Sequence, residues 1–203
     1  MDPKTTALIL VGYQNDYFAQ DGILRGVVEE PNRVDRVLAD TVAFIARAAD
    51  TEMTIISTPV VLEPNCRALA EPIGILNSIK ESGAFKVGSA RAETIPELLA
   101  YGDRVMDIAG KVGFNACSNT ALDGVLVEPG TREERVAGMV TSLCIDSTNR
   151  ATYERGDNVT ILCDCTSART PGEQDLDCRN IFPLYGVVAR SSEITRDDVA
   201  VAA

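Results

Sequence analysis

The stretch Thr6-Ala7-Leu8-Ile9-Leu10-Val11-Gly12-Tyr13-Gln14-Asn15-Asp16 decides how the rest of the chain is read. Ala7 to Val11 is a continuous apolar run that stops at a glycine and turns polar at once. It has no alternation of apolar and polar residues, so both of its faces must be covered. A short, doubly buried strand of a parallel sheet reads this way.

Working outward, strands and helices alternate along the chain. A helix follows Pro31-Asn32, with Val34, Val37, Leu38, Thr41, Val42 and Ile45 at three- and four-residue steps along one face. Met53 to Ser57 reads as the second strand, Arg104 to Ile108 as the third, Arg135 to Val140 as the fourth and Val159 to Cys163 as the fifth. Val187 to Ala189 is a final strand, preceded by a helix over Gln174 to Phe182. Between the second and third strands, residues 59–92 carry Pro59, Pro64, Pro72, Gly74, Gly83 and Gly88 and read as a long irregular excursion. Thr94-Ile95-Pro96-Glu97 has the pattern of a capping box opening a short helix, and Ser118 or Asn119 would cap another that runs to Val127. This alternation predicts a mainly parallel sheet with helices on both faces, built as a single domain over 1–203.

Composition narrows the chemistry. With 203 residues, 45% hydrophobic and 24% charged, the chain can bury one substantial core. No apolar run approaches the roughly 20 residues of a bilayer span, and no basic start precedes an apolar stretch as in a signal peptide. Membrane is therefore not an expected partner, and the expected location is the cytoplasm. The net charge of −11 also makes nucleic acid a poor partner. The chain has no histidine, which removes a His general base, a Ser-His-Asp triad and every His-ligated metal site. Acid–base work falls to Asp, Glu, Lys, Cys or Tyr. The six cysteines, at 66, 117, 144, 163, 165 and 178, are expected to be reduced thiols. Cys163 and Cys165 form a C-x-C pair whose redox reading predicts a disulfide on mild oxidation.

In an open parallel sheet, ligands bind beyond the carboxyl ends of the strands. Three groups fall there: Gly12 to Asp16 after the first strand, Lys111 after the third, and Cys144 after the fourth. With Thr141 or Ser142 as N-cap, Cys144 lies in the first turn of a helix that closes at Arg155-Gly156. The free N–H groups and positive dipole end there favour a thiolate and a developing oxyanion. A small buried residue packed on the sheet explains Cys144 equally well at this level. Lys111 is one of four lysines against fifteen arginines, and lies between Gly110 and Gly113. Desolvated, its ammonium could hold a thiolate and move protons. Exposed, it is an ordinary loop lysine.

The combination of Gln14-Asn15-Asp16-Tyr17-Phe18 after an apolar strand, Lys111 before Phe114-Asn115-Ala116, and Ala137-Gly138-Met139-Val140-Thr141-Ser142-Leu143-Cys144 resembles the isochorismatase-like cysteine hydrolases. That family includes nicotinamidases, N-carbamoyl amide hydrolases and isochorismatases, and the resemblance covers roughly residues 5–190. It implies a six-stranded parallel sheet in a three-layer α/β/α sandwich. It further implies a Cys–Lys–Asp triad in which the Cys forms an acyl-enzyme with a small carbonyl substrate. The oxyanion would be held by backbone N–H groups of Val140 and Cys144 beside a cis Met139–Val140 peptide. Assembly as a dimer or tetramer is implied as well, with no cofactor.

Two departures stand out. The family's catalytic Asp ends the first strand, and here that position is Gly12. The metal-binding region of the nicotinamidase branch reads Ser57-Thr58-Pro59-Val60-Val61-Leu62-Glu63, so no metal is expected and nicotinamidase is disfavoured. Asp16 and Glu63 are candidate substitute bases, and Tyr13 could offer a hydroxyl. A substrate carboxylate or a water could carry the proton instead. The expected activity is hydrolysis of an amide, carbamoyl or related C–N bond with an incomplete triad. The alternative is a catalytically impaired member that binds a ligand or partner.

Overall fold

The computed structural model describes residues 2–63, 71–128 and 130–194. Six strands form one parallel sheet: β1 Thr6–Val11, β2 Thr54–Thr58, β3 Met106–Asp107, β4 Glu133–Met139, β5 Asn158–Ser167 and β6 Val187–Ala189. Their spatial order is β3-β2-β1-β4-β5-β6. β1 pairs with β2 from Ala7 opposite Thr54 to Val11 opposite Thr58, and with β4 from Thr6 opposite Glu133 to Val11 opposite Gly138. The strand order therefore reverses between β1 and β4, which opens a crevice beyond Val11 and Met139.

The helices are α1 Asn15–Phe18, α2 Pro31–Ala48, α3 Gly74–Ser82, α4 Pro96–Leu99, α5 Leu122–Val127, α6 Asp146–Arg155 and α7 Pro171–Leu176. Every residue of β1 is fully buried. Leu8 and Leu10 face the core under α2, against Val34, Val37, Phe44 and Ile45. Ala7, Ile9 and Val11 face the opposite core, against Leu122 and Leu126 of α5, Ile145 and Phe182. The three-layer parallel architecture expected from the sequence is the one observed. Along α2 the buried stripe runs through Val34, Val37, Thr41, Phe44, Ile45 and Ala48, while Val42 is only half-buried.

Several elements differ from their sequence-based expectation, each for a local reason. The strand expected over Arg104 to Ile108 shortens to Met106–Asp107. Arg104 is drawn away because its guanidinium donates to the carbonyls of Ala48, Ala49, Thr51 and Met53 at the end of α2. The capping box at Thr94 is absent, because Thr94 pairs its backbone with Gln14 and Ile95 takes the N-cap position. Asn119 has φ +59°, a left-handed conformation, and α5 starts only at Leu122. β5 extends to Ser167, with its register to β4 shifted between Val136 and Gly138. The last helical run starts earlier than expected, at Pro171, where the Thr170 hydroxyl accepts from the Glu173 N–H. The segment 59–92 contains a regular helix, α3, stopped by Gly83 in the left-handed region.

Cys117, Cys144, Cys163, Cys165 and Cys178 are free thiols, and Cys66 lies outside the described residues. Cys165 is fully buried in the core under α2, while Cys163 is half-buried. Arg155 is not a solvated surface residue. It pairs with Asp157 and Asp123 and with the buried Glu134 at the end of α6.

Candidate active site

The crevice is shaped first by two glycines. Gly138 has φ +133°, and a Cβ there would stand 2.0 Å from the Val11 carbonyl oxygen, so only glycine lets β4 approach β1 at this point. Gly12 turns the chain out of β1 at φ +73°. After it, Gln14 acts as a clamp. Its amide donates to the carbonyls of Val60 at 2.7 Å and Ala92 at 2.6 Å, and its side-chain oxygen accepts the Val60 N–H at 2.7 Å. Asn15 donates to the Ala90 carbonyl at 2.8 Å, and Asp16 accepts the Phe85 N–H at 2.6 Å. Together these three residues tie the end of β1 to the segment that follows β2, as expected for Asn and Asp in a structured loop. The double role of Gln14 was not foreseen from the sequence.

Beyond β4 the Met139–Val140 peptide is cis. Thr141–Ile145 then forms a single wide π-helical turn that leads into α6, a geometry frequent at functional sites. The N–H groups of Leu143 and Ile145 both donate to the Val140 carbonyl. Neither Thr141 nor Ser142 caps this turn, because the Thr141 hydroxyl donates to Gln174 and the Ser142 hydroxyl to Glu173, both within α7. Val140 occupies the cap position instead. Cys144 nevertheless sits in the first turn, 8% exposed.

Lys111 reaches Cys144 from the neighbouring crossover. Its backbone bridges to Val60 beside the end of β2, and its side chain is fully buried. Nζ donates to the Gly113 carbonyl at 2.7 Å and to Cys144 Sγ at 3.5 Å. An ammonium in this position can neutralise a sulfur anion.

The pocket over this pair is narrow and largely apolar. Ile75 and Ile79 of α3, Phe85, Phe114 and Leu143 line it, along with Tyr17. The 59–92 segment thus supplies much of the wall. Pro171 borders a separate cavity with Val28, Arg33 and Ala168.

The remaining sequence candidates lie elsewhere. The Asp16 carboxylate is buried outside the pocket lining; one oxygen accepts the Phe85 N–H and the other has no partner among the described residues. Glu63 is exposed and also outside the lining. The Tyr13 hydroxyl is engaged with Thr41 at 2.6 Å and donates to the Cys165 carbonyl, under α2. Gly12 brings no side chain to the site. Tyr17, which sequence reading passed over, does line the pocket. Its only signal was its place directly after Gln14-Asn15-Asp16. Among the described residues, no group of three His, Cys, Asp or Glu is placed to hold a metal ion.

A family model describing the isochorismatase domain matches residues 6–193. The ureidoacrylate amidohydrolase RutB of Caulobacter vibrioides (strain ATCC 19089 / CIP 103742 / CB 15) is 28% identical over 206 residues, covering 95% of this chain and 91% of that protein. Among solved structures, an isochorismatase family protein from Desulfovibrio vulgaris subsp. vulgaris str. Hildenborough superposes with a TM-score of 0.79 at 18% identity, covering 96% of this chain and 97% of its own. The N-carbamoylsarcosine amidase from Thermoplasma acidophilum superposes with a TM-score of 0.74 at 17% identity, covering 96% and 99% respectively.

Proposed function

Because the chain belongs to the isochorismatase family, we propose that it is a hydrolase that cleaves an amide, carbamoyl or related C–N bond of a small molecule through an acyl-enzyme on Cys144. The observation that carries this reading is the 3.5 Å contact between the buried Lys111 Nζ and Cys144 Sγ inside a pocket at the strand switch point. The amidohydrolase name of the RutB relative supports the bond class. Cys144 and Lys111 form a dyad where the resemblance implies a triad.

In the acylation half, Sγ bonds to the substrate carbonyl carbon, and the C–N bond breaks. The proton shed by the thiol ends on the leaving nitrogen. In the deacylation half, water adds to the same carbon, the S–C bond breaks, and one proton from water restores the Cys144–Lys111 pair. Backbone N–H groups of Val140 and Cys144 are the proposed donors to the carbonyl oxygen. The Lys111 ammonium balances the charge on the sulfur before acylation and again once deacylation has freed it. Without a carboxylate at position 12, general-base assistance of about 10²–10⁴-fold is lost, so turnover of ordinary amides is slow.

The test is p-nitrophenyl acetate followed by intact-protein and peptide mass spectrometry. The expected result is an acetyl group on Cys144, absent in Cys144→Ala. Iodoacetamide near neutral pH should label Cys144 well ahead of Cys117, Cys165 and Cys178, whose thiols burial pushes up to about 12. Equal labelling and no acyl adduct would overturn the hydrolase reading. The bare Gly12 favours a second reading, a ligand-binding member without turnover. That reading predicts a reactive Cys144 thiol together with no hydrolysis of any amide or ester offered.

A further inference from the structure

The space beside Gly12 is bordered by Tyr17. A Cβ on Gly12 would lie 3.3 Å from Tyr17 Cε2 and 3.5 Å from Cδ2. The ring is 5% exposed, leans on Phe85 with centroids 5.5 Å apart, and shares the pocket lining with Lys111 and Cys144. The short helix α1 fixes its position, with the Tyr17 N–H donating to the Gln14 carbonyl. Gln14 in turn is held by three hydrogen bonds to the opposite wall. Among the described residues the Tyr17 hydroxyl has no hydrogen-bond partner.

Burial, then the nearby Cys144 sulfur, then Asp16 push the Tyr17 phenol well above its ordinary range. It therefore keeps its proton at neutral pH. A phenol is both donor and acceptor at a single oxygen, which suits it to pass a proton on without persisting as an anion. The other oxygen-bearing candidates do not line the pocket: the Tyr13 hydroxyl is engaged with Thr41, Asp16 holds the Phe85 N–H with one oxygen and lies outside the lining with the other, and Glu63 is exposed.

The geometry points to Tyr17 as the proton relay that substitutes for the carboxylate missing at Gly12. This inference rests on the hydrolase reading. In acylation, Sγ⁻ attacks the carbonyl carbon and the C–N bond breaks. The leaving nitrogen takes the Tyr17 hydroxyl proton while the phenol oxygen is reprotonated from the Lys111 ammonium. The amine departs, Lys111 is neutral and the acyl group is on sulfur. In deacylation, water adds to the carbonyl carbon and gives a proton through the Tyr17 oxygen to Lys111 Nζ. The S–C bond breaks to return the thiolate and ammonium.

The experiment compares the full-length protein and Tyr17→Phe on two substrates with the same acyl group, an anilide and a p-nitrophenyl ester. The anilide nitrogen cannot leave without a proton, whereas p-nitrophenolate can. The expected result is a fall in the anilide-to-ester ratio of kcat/KM by 10-fold or more, toward the order of 10² typical of general acid catalysis. The fall should appear in kcat rather than KM, together with a smaller solvent isotope effect on anilide cleavage. Residual ester turnover shows that the variant is folded. A wild-type anilide rate that Tyr17→Phe leaves intact, or equal losses on both substrates, overturns the relay alone. A wild-type protein inert toward both substrates overturns the hydrolase reading and the relay with it.

Discussion

At Gly12 the backbone sits at φ +73°, and a side chain there would meet the Met139 carbonyl oxygen and the Tyr17 ring edge, each at 3.3 Å. Those contacts are tight but not closed, since a ring edge can yield by a few tenths of an ångström. Asp is also among the residues that best tolerate the left-handed region. Gly12→Asp should therefore fold, at a cost of about 1–2 kcal/mol. It should raise C–N bond hydrolysis by about 10²-fold or more if a base is all the site lacks. Steady-state rates on a simple anilide, alongside a thermal melt, check both halves. A folded but unimproved variant would show that more than the carboxylate has been lost. At this scale the sequence was informative where chemistry is rare. Cys144 and Lys111 stood out by position and scarcity, and they are the pair found in contact. Tyr17 was not legible, because an aromatic residue after a polar loop reads equally as core. Only the fold of the loop brings the Tyr17 ring into the pocket that Cys144 lines.

The elements that carry the site are held by close backbone approach rather than by helix caps. β4 meets β1 at Gly138, where the Cβ position falls 2.0 Å from Val11 O and 2.9 Å from Val11 N. Such an overlap cannot be relieved by a rotamer, because both partners are backbone in the middle of a buried sheet. With the cost of a positive φ added, Gly138→Ala should destabilise the protein by about 3–5 kcal/mol. A urea titration followed by circular dichroism should show the midpoint falling steeply. An unchanged midpoint would mean that β4 can move away from β1, and that the crevice is not set by this contact. The capping predictions failed for a related reason. Thr141 and Ser142 carry the right side chains for N-caps, but Gln174 and Glu173 take their hydroxyls, and Thr94 is drawn into backbone pairing with Gln14. Cap propensity is a local preference of about 1 kcal/mol, and a longer-range hydrogen-bond network outweighs it.

Across the whole molecule, buried thiols set an alkaline limit on stability. Cys117 is 9% exposed and Cys165 fully buried, and burial pushes both thiols up to about 12. In the unfolded chain an ordinary thiol loses its proton near pH 8.5. Between roughly pH 9 and 12 the folded state thus holds protons that the unfolded state has released, and stability falls as pH rises. Two such groups give a slope of up to about 2.7 kcal/mol per pH unit. Urea midpoints at pH 8, 9 and 10 should decline progressively, and a flat series would argue that these thiols are hydrated.

The sequence by itself determined the layered parallel fold, since an unbroken apolar strand such as Ala7 to Val11 can be satisfied only between two helical layers. It also determined the absence of imidazole chemistry and placed Cys144 and Lys111 at strand ends as candidates. Tertiary structure alone decided that Lys111 points inward onto sulfur, that Asp16 turns one oxygen to Phe85 and stays out of the pocket lining, and that Tyr17 stands beside the space at Gly12. The physical reason is that periodicity and propensity encode which side of an element is buried, whereas the partner met there depends on strand order and on close backbone approaches between residues more than a hundred positions apart.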